Sequence, residues 1–540
     1  MRDKKVVHMK SRWMKVISLS FIIFHFSFSP VRAQLTFSGS VQSDMLVPRN
    51  DSGTGAEKTG DFLTNTYADL LMQSKYVDAG ARLEFLEYPL PGFDDEGFDG
   101  WGVPNFWVKG RVGKFELTGG TFYEQFGSGF ILRTYEERSM GIDNSLLGGR
   151  VVVKPLKGVT MKVLSGVQRH YWKWNKSLVS GADAEVQLDE WIPRMQQSDT
   201  KLMMGFSWVN KYEDKENVYA DATTYRYNFP KFVNAWDARI GLDKGPWSML
   251  MEYAEKSQDP SSDNSYNYNK GHAAMVSGSY SEKGLSLLLQ VKRSENMSFR
   301  SKRLLGGEDK SSFINHLPAF TQDQTYALAA LYPYATQLAD GEWAYQAEAG
   351  YNFKRKTLLG GKYGMNVKAN FSHVRWKGTV NYQDIDVQLT KKMSKSFKLS
   401  LMYMNQRYNQ FVVEKHTNED GHGNMVNSNI FIADGKYQFS PKTTLRAELQ
   451  YLTTKQDKGD WAYGLLELSL VPHWMFTISD MWNCGETGLH YYQGLITYNI
   501  KQHRIQAGYG RTREGLNCSG GVCRKVKATT GWTISYNYNF

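Results

Sequence analysis

Between residues 123 and 150 the chain gathers Arg133, Glu136, Glu137, Arg138, Asp143 and Arg150 among glycines and aromatics. Cations and carboxylates set opposite one another across a narrow aqueous passage create a transverse field. Such a field orders water and selects ions or small polar solutes. On this reading Arg133, Glu136, Glu137, Arg138 and Asp143 are candidates for a constriction in a lumen. The same residues suit a surface loop whose Arg and Glu pair with each other. Gly127 and Gly129 fit close backbone packing against a wall. They do not form a phosphate loop, because no Lys-Ser/Thr follows them.

A second candidate is the run Phe93 to Gly100, where Asp94, Asp95, Glu96 and Asp99 cluster. Clustered carboxylates can hold Ca²⁺, which prefers oxygen ligands, but the spacing is not that of an EF-hand loop. A plain acidic loop accounts for the same residues. A third stretch, 294–341, holds the basic run Arg300-Ser301-Lys302-Arg303 and the segment Gln322 to Pro333. That segment is expected to form a short helix stopping at the proline. A connection this long is functional or disordered: it can plug a lumen, cap its mouth or dock a partner.

Catalytic signatures are missing. There is no Gly-x-Ser-x-Gly elbow, no His-Glu-x-x-His and no phosphate loop, and the His residues are scattered, so an enzyme is not expected. The three cysteines are Cys484, Cys518 and Cys523. They are too few for a disulfide scaffold or a zinc ribbon, and without clustered His no metal centre is expected. Cys518 and Cys523 are candidates for a small disulfide loop in an oxidising compartment, with Cys484 left over.

The elements that must position these residues are strands. Leu285, Leu287, Leu289 and Val291 alternate with Ser286, Leu288, Gln290 and Lys292. Trp343, Tyr345, Ala347, Ala349, Tyr351 and Phe353 do the same against Ala344, Gln346, Glu348, Gly350 and Asn352, as do 365–372 and 444–451. Period-2 alternation marks strands with one apolar and one polar face. A soluble sandwich packs the apolar face in a dry core, whereas a membrane barrel turns it to lipid and lines its lumen with the polar face. The connections separate the two. Tight turns at 112–114, 156–158, 244–246, 281–284, 440–442 and 471–473 alternate with long polar stretches at 49–62, 89–103, 213–230, 257–269 and 409–425. This is the asymmetry of an up-and-down membrane barrel. A Greek-key sandwich has no reason to keep it.

The fold class expected is therefore all-β: a large antiparallel up-and-down transmembrane β-barrel of about 24 strands (about 22–26), each of roughly ten residues. The strand at Leu35 to Gly39 leaves no room for a separate plug domain, and no boundary follows it. Residues 182–200 fit the alternation poorly, and 354–363 reads as a long turn. Loops 124–147 and 294–341 are expected on the long-loop, extracellular side.

Both ends of the chain point to export. Residues 1–33 carry Arg2, Lys4, Lys5, Lys10, Arg12 and Lys15, then an apolar run from Val16 to Phe28, then Val31-Arg32-Ala33. This is a secretory leader cut before Gln34. The mature chain, 34–540, keeps 58 Lys and Arg against 53 Asp and Glu, a balance of +5. That is no nucleic-acid footprint. Mean hydropathy is −0.50, as expected when lipid-facing and lumen-facing residues cancel in every window. The 32 Tyr, 28 Phe and 15 Trp suit aromatic girdles at two membrane interfaces. The last strand, Trp532 to Phe540, is apolar at every second residue. Its terminal Tyr536, Tyr538 and Phe540 match the insertion signal read by outer-membrane assembly machinery.

The block Tyr123-Glu124-Gln125-Phe126-Gly127-Ser128-Gly129, followed by Arg133-Thr134-Tyr135-Glu136-Glu137-Arg138 and Gly141-Ile142-Asp143-Asn144, resembles one in an uncharacterised Bacteroidota outer-membrane family. The closing Gly521-Val522-Cys523-Arg524 is similar to that family's ending. The resemblance implies location and fold for the whole mature chain and brings no chemistry. Two functions are compatible with these features. One is a porin-like channel for small hydrophilic solutes in the outer membrane of a Gram-negative cell. The other is a non-conducting scaffold, or a subunit of an envelope complex for secretion, assembly or uptake. The expected partners are outer-membrane lipid, the assembly machinery and, for the scaffold, other envelope proteins. Beyond the candidate Ca²⁺ no cofactor is expected.

Overall fold

The computed structural model describes residues 35–93, 97–214, 216–219, 226–306, 312–414, 425–519 and 522–540. The leader expected over 1–33 lies outside the described residues, as do Asp94, Asp95 and Glu96 of the acidic run.

Twenty-four strands form one sheet with antiparallel neighbours throughout. The first strand, Thr36–Pro48, pairs on one side with Leu63–Gln73 and on the other with the last, Thr529–Asn539. Ser40 lies opposite Asn539 and Pro48 opposite Gly531. The sheet therefore closes on itself and leaves no edge with unpaired backbone groups. Two small hairpins stand outside it, one at Glu136–Glu137 with Ile142–Asp143 and one at Gly515–Ser519 with Val522–Val526.

Alternation decides which side chains face in. On the strand Leu285–Glu295, Leu289 is 66% exposed on the outside while Lys292 is 0% exposed inside. Phe206, Trp208 and Ile240 are exposed outward, whereas Asp183, Ser207, Asp237 and Arg239 form one buried inward layer. The outer surface carries exposed aromatics at both strand ends. Phe37, Phe115, Trp247, Phe439, Trp474 and Phe540 ring the end that holds both termini; Trp101, Phe232, Trp343, Tyr451, Trp482 and Trp532 ring the other.

At the end with the termini the connections are tight, as at 113–114, 245–246, 283–284, 441–442 and 501–502. Gly113 (φ +60°) and Gly245 (φ +55°) supply the left-handed backbone that two such turns require. Long connections gather at the opposite end: 49–62, 89–100, 123–145, 213–231, 257–270, 296–341, 410–424 and 513–528. The expected alternation breaks in two ways. Tight hairpins at 171–172 and 377–378 sit on the long-loop side, and 188–199 and 354–364 are long on the short-turn side. Residues 182–187, expected to pair poorly, continue a strand in full register with 203–208. The irregular part is a single turn of 3-10 helix at Leu188–Glu190 and a five-residue helix at Pro193–Gln197.

Loops 124–147 and 294–341 leave from the long-loop side, as expected, and their described residues fold into the barrel, the placement that the lumen and plug readings required. Their apolar residues would be stranded in water outside, and the inward faces of the strands cover them. The material inside comes, among the described residues, from these connections and not from a separate domain.

Candidate functional site

The connection 123–145 leaves the strand Phe115–Phe122 and turns inward as a hairpin, Phe126 N–H donating to Leu132 O at 3.0 Å. Phe126, Phe130, Ile131 and Leu132 are fully buried. They pack against Val179, Val209, Val233, Ala235 and Ala254 of the wall and against Met297, Phe299, Ile314 and Leu317 of the second loop. At the hairpin tip, Ser128 N–H donates to both carboxylate oxygens of Glu252, at 3.1 and 3.0 Å. Gly129 (φ +95°) allows the approach of the second loop, since a Cβ there would lie 2.9 Å from His316 O.

The connection 296–341 builds on that hairpin. Arg133 N–H donates to Ile314 O at 2.8 Å and His316 N–H to Gly129 O at 3.1 Å. Asn315 joins Phe130 O (2.9 Å) and Met297 O (2.8 Å), and Gln168 of the wall holds Phe313 O at 2.7 Å. The chain then crosses to other strands. Leu328 N–H donates to Gln450 Oε1 at 2.8 Å, Gln406 Nε2 to Tyr332 O at 3.0 Å, and the Tyr332 hydroxyl to Asp457 at 2.8 Å. Tyr326 reaches Asp434 at 3.4 Å and Gln324 reaches Asp386 at 3.5 Å. The helix expected between Gln322 and Pro333 is a single turn, Ala330 N–H to Tyr326 O at 2.9 Å. Wall contacts on both sides replace the hydrogen bonds a longer helix would supply.

The charged residues singled out in the sequence act as fasteners. Arg82 on the wall contacts Asp143 and lies 2.6 Å from Glu136 and 2.8 Å from Glu84. Arg169 meets Glu84 and Asp143, both at 2.6 Å. Arg138 spans Glu136 (2.6 Å) and Asp69 (2.8 Å), its guanidinium over the Tyr67 ring. Burial raises the Asp143 carboxyl, but Arg169 and Arg82 more than offset this and hold it below the usual range. Arg133 lies over Tyr135, and Glu137 accepts from Ser139 N–H. Glu136, Arg138 and Asp143 are thus in contact with partners and do not face one another across a gap. Pairing within the loop describes Glu136 and Arg138, while the wall supplies the rest. The wall residues Arg82, Glu84, Arg169, Asp69 and Glu252 were not singled out in the sequence. Their signal was charge at inward strand positions for Arg82, Glu84, Asp69 and Glu252, whereas Arg169 sits at the loop-side end of its strand on the opposite parity.

Among the described residues no group of three His, Cys, Asp or Glu is placed to hold a metal; Asp99 is the one described member of the acidic run. Cys518 and Cys523 are joined in a disulfide, and Cys484 is free. From that hairpin Arg524 lies over Phe93 and Phe98 and donates to Met140 O at 3.2 Å, tying three connections together at the mouth. Tyr536, Tyr538 and Phe540 share the outward face of the last strand. Phe540 and Gly39 exchange backbone hydrogen bonds at 3.0 Å each way.

Another part of the lumen is lined by hydroxyls and amides. Gln42, Asp44, Gln493, Gln506, Ser535 and Asn537 remain half-exposed there. Ser535 donates to Asp44 at 2.6 Å and Gln42 to Asp44 at 2.9 Å.

A family model described as a family of unknown function, DUF6029, matches residues 9–540. No curated protein matches the chain. Among solved structures it is similar to the P pilus usher (PapC) translocation pore, with 11% identity, a TM-score of 0.45, and 93% of this chain and 99% of that one covered. It is similar to the siderophore receptor PirA from Pseudomonas aeruginosa (8%, 0.40, 94% and 81%). It is also similar to the outer membrane protein opdK from Pseudomonas aeruginosa (12%, 0.39, 74% and 98%).

Proposed function

We propose that this chain, which belongs to the DUF6029 family of unknown function, is an integral outer-membrane barrel conducting small hydrophilic solutes past loops folded into its own lumen. One observation carries the reading. The closed sheet turns an apolar, aromatic-girdled face outward and a polar face inward, part of which stays half-exposed. A barrel this wide leaves an aqueous lumen unless something fills it, and the loops 123–145 and 296–341 fill it from one side. The proposal includes export by the leader 1–33, insertion through Tyr536, Tyr538 and Phe540, and no catalytic activity. Purified protein in planar bilayers is expected to give discrete conductance steps. A correctly folded barrel that never conducts refutes the channel.

The second reading, a scaffold for an envelope complex, is favoured by the density of buried ion pairs that hold the loops closed. Affinity purification in mild detergent, followed by mass spectrometry, tests it. Recovery of the barrel without stoichiometric partners counts against it.

A further inference from the structure

On the short-turn rim 354–364 is, with 188–199, one of two long connections, whereas 441–442 and 501–502 are tight. It is a folded hairpin. Lys356 N–H donates to Gly361 O at 2.6 Å and Gly361 N–H to Thr357 O at 2.8 Å. The Thr357 hydroxyl donates to Lys354 O at 2.8 Å and accepts from Gly360 N–H at 3.1 Å. This built turn carries Leu358, 98% exposed, and Leu359, 52% exposed, at its apex. An apolar side chain held fully in the open by a hydrogen-bonded turn is costly in water.

Cations surround the two leucines. The turn supplies Lys354, Arg355, Lys356 and Lys362, and the adjoining turn and the strand ends beside it supply Lys391 and Lys395, with Lys392 and Lys398 at inward positions of their strands. Neither stretch, 354–364 or 391–398, contains an Asp or Glu. The two are in contact: Met365 pairs with Lys391, and Lys391 Nζ donates to Leu359 O at 3.2 Å. Lys362 and Lys392 both lie over the Tyr363 ring. Two cations elsewhere on this rim have acidic partners, Lys157 with Glu190 at 2.6 Å and Lys283 with Glu282 at 2.7 Å, whereas Lys114, Lys442 and Lys501 stand singly in their turns. Among the described residues the eight of the two stretches have no acidic partner.

The patch continues the lipid-facing surface. The outward positions of the same and adjoining strands end, on this rim, in exposed Tyr351, Leu389, Tyr437 and Phe439, and Met393 follows Leu389 and Lys391 on the outward side. From barrel waist to rim the order is aliphatic, aromatic, then cationic, with two leucines at the cationic level. A phospholipid leaflet presents the matching order of acyl chain, interface and phosphate. Lysines reach the phosphates while their stems lie along apolar surface. We infer that the 354–364 and 391–398 turns form a binding site for the phosphate headgroups of anionic phospholipids in the leaflet at the short-turn end, with Leu358 and Leu359 seated at its interface. The inference rests on the membrane reading above and adds a ligand class to it.

The test uses the full-length barrel in a neutral detergent, titrated with phosphatidylglycerol or phosphatidylcholine and read by native mass spectrometry. Wild type should retain phosphatidylglycerol at least about tenfold more than phosphatidylcholine. Excess inorganic phosphate should displace little of it, because the leucines hold the lipid and not the free ion. The K354Q/R355Q/K356Q/K362Q variant should lose the preference. The L358S/L359S variant should retain less of both lipids and keep the preference. Heat-modified mobility on gels checks that each variant is folded. Equal retention of the two lipids by wild type, or undiminished preference in the charge variant, overturns the site. Binding of poly-glutamate to the nanodisc-embedded barrel, with no lipid preference, reassigns the patch to an acidic protein and also overturns it. A wild-type chain that does not insert into liposomes at all refutes the membrane reading itself, an outcome distinct from these.

Discussion

Removing Arg82 should release the first interior loop. Its guanidinium sits 2.6 Å from Glu136, contacts Asp143 and lies 2.8 Å from Glu84, and its side chain is 4% exposed. Two of its three partners belong to the loop and one to the wall, so Arg82→Gln cuts the link between them. It also leaves Glu84, Glu136 and Asp143 to be neutralised by Arg138 and Arg169 alone. Taking one partner from a buried ion pair costs about 3–5 kcal/mol. At about 1.4 kcal/mol per tenfold, the ratio of docked to released loop falls by roughly two to nearly four orders of magnitude. The barrel wall keeps every interstrand hydrogen bond, so R82Q should still migrate as a heat-modifiable folded species. In planar bilayers it should flicker between the wild-type level and a larger conductance. Protease added from the long-loop side should cut near Glu137 and Ser139. R82Q/D143N should lose less than the sum of its single variants, because Arg82 and Asp143 share one contact. A folded R82Q channel with wild-type conductance, no flicker and an uncut loop refutes the idea that this network holds the loop in place.

Glu252→Ala removes the acceptor for Ser128 N–H and should loosen the hairpin tip by about 1–3 kcal/mol, read as faster hydrogen exchange at 126–132. Exchange that stays at the wild-type rate contradicts it. Deleting 319–337 behind a short glycine linker should raise single-channel conductance, and an unchanged step size means the ions pass elsewhere. Acid should act through Asp143. Its folded-state pKa is depressed, so its contribution is full above the ordinary value of 3.8, and it is lost as pH falls through the lower folded value. Loop cleavage should therefore rise only below about pH 4, and a transition near neutrality points to other groups. Replacing Cys518 and Cys523 by Ser should free the Arg524 contacts at the mouth and leave barrel melting unchanged. A large loss of melting temperature would place the disulfide in the wall's own stability.

Much of the wall was legible because it obeys one rule. Leu289 out and Lys292 in follow from period-2 alternation, as does the outward set Trp532, Ile534, Tyr536, Tyr538 and Phe540 on the closing strand. The interior loops obey no period, so their fold could not be read the same way. A signal was present nonetheless. Phe130-Ile131-Leu132 and Leu328-Ala329 to Tyr332 are apolar runs inside supposed loops, and such runs do not stay in water. Which wall would receive them depended on partners more than a hundred residues away, Glu252 for Ser128 and Gln450 for Leu328. The charges of 133–143 were visible as a cluster, but of their opposite numbers Arg82 and Glu84 sit on a strand where charge looked like ordinary lumen lining, and Arg169 sits at the loop-side end of its strand on the opposite parity. The basic turns at 354–364 and 391–398 were legible as composition alone. Their neighbourhood became apparent only with the pairing of Met365 and Lys391.

The seam between Thr36–Pro48 and Thr529–Asn539 has a consequence for how the molecule comes into being. No partial chain is a smaller version of the whole. A chain that stops short of Thr529 has two bare sheet edges and encloses nothing, so Phe126, Phe130 and Leu328 have a wall to lean on but no chamber to occupy. Loss of the final strand therefore reaches residues four hundred positions upstream without touching one of them. The last strand to be synthesised decides whether the first twenty-three amount to a container.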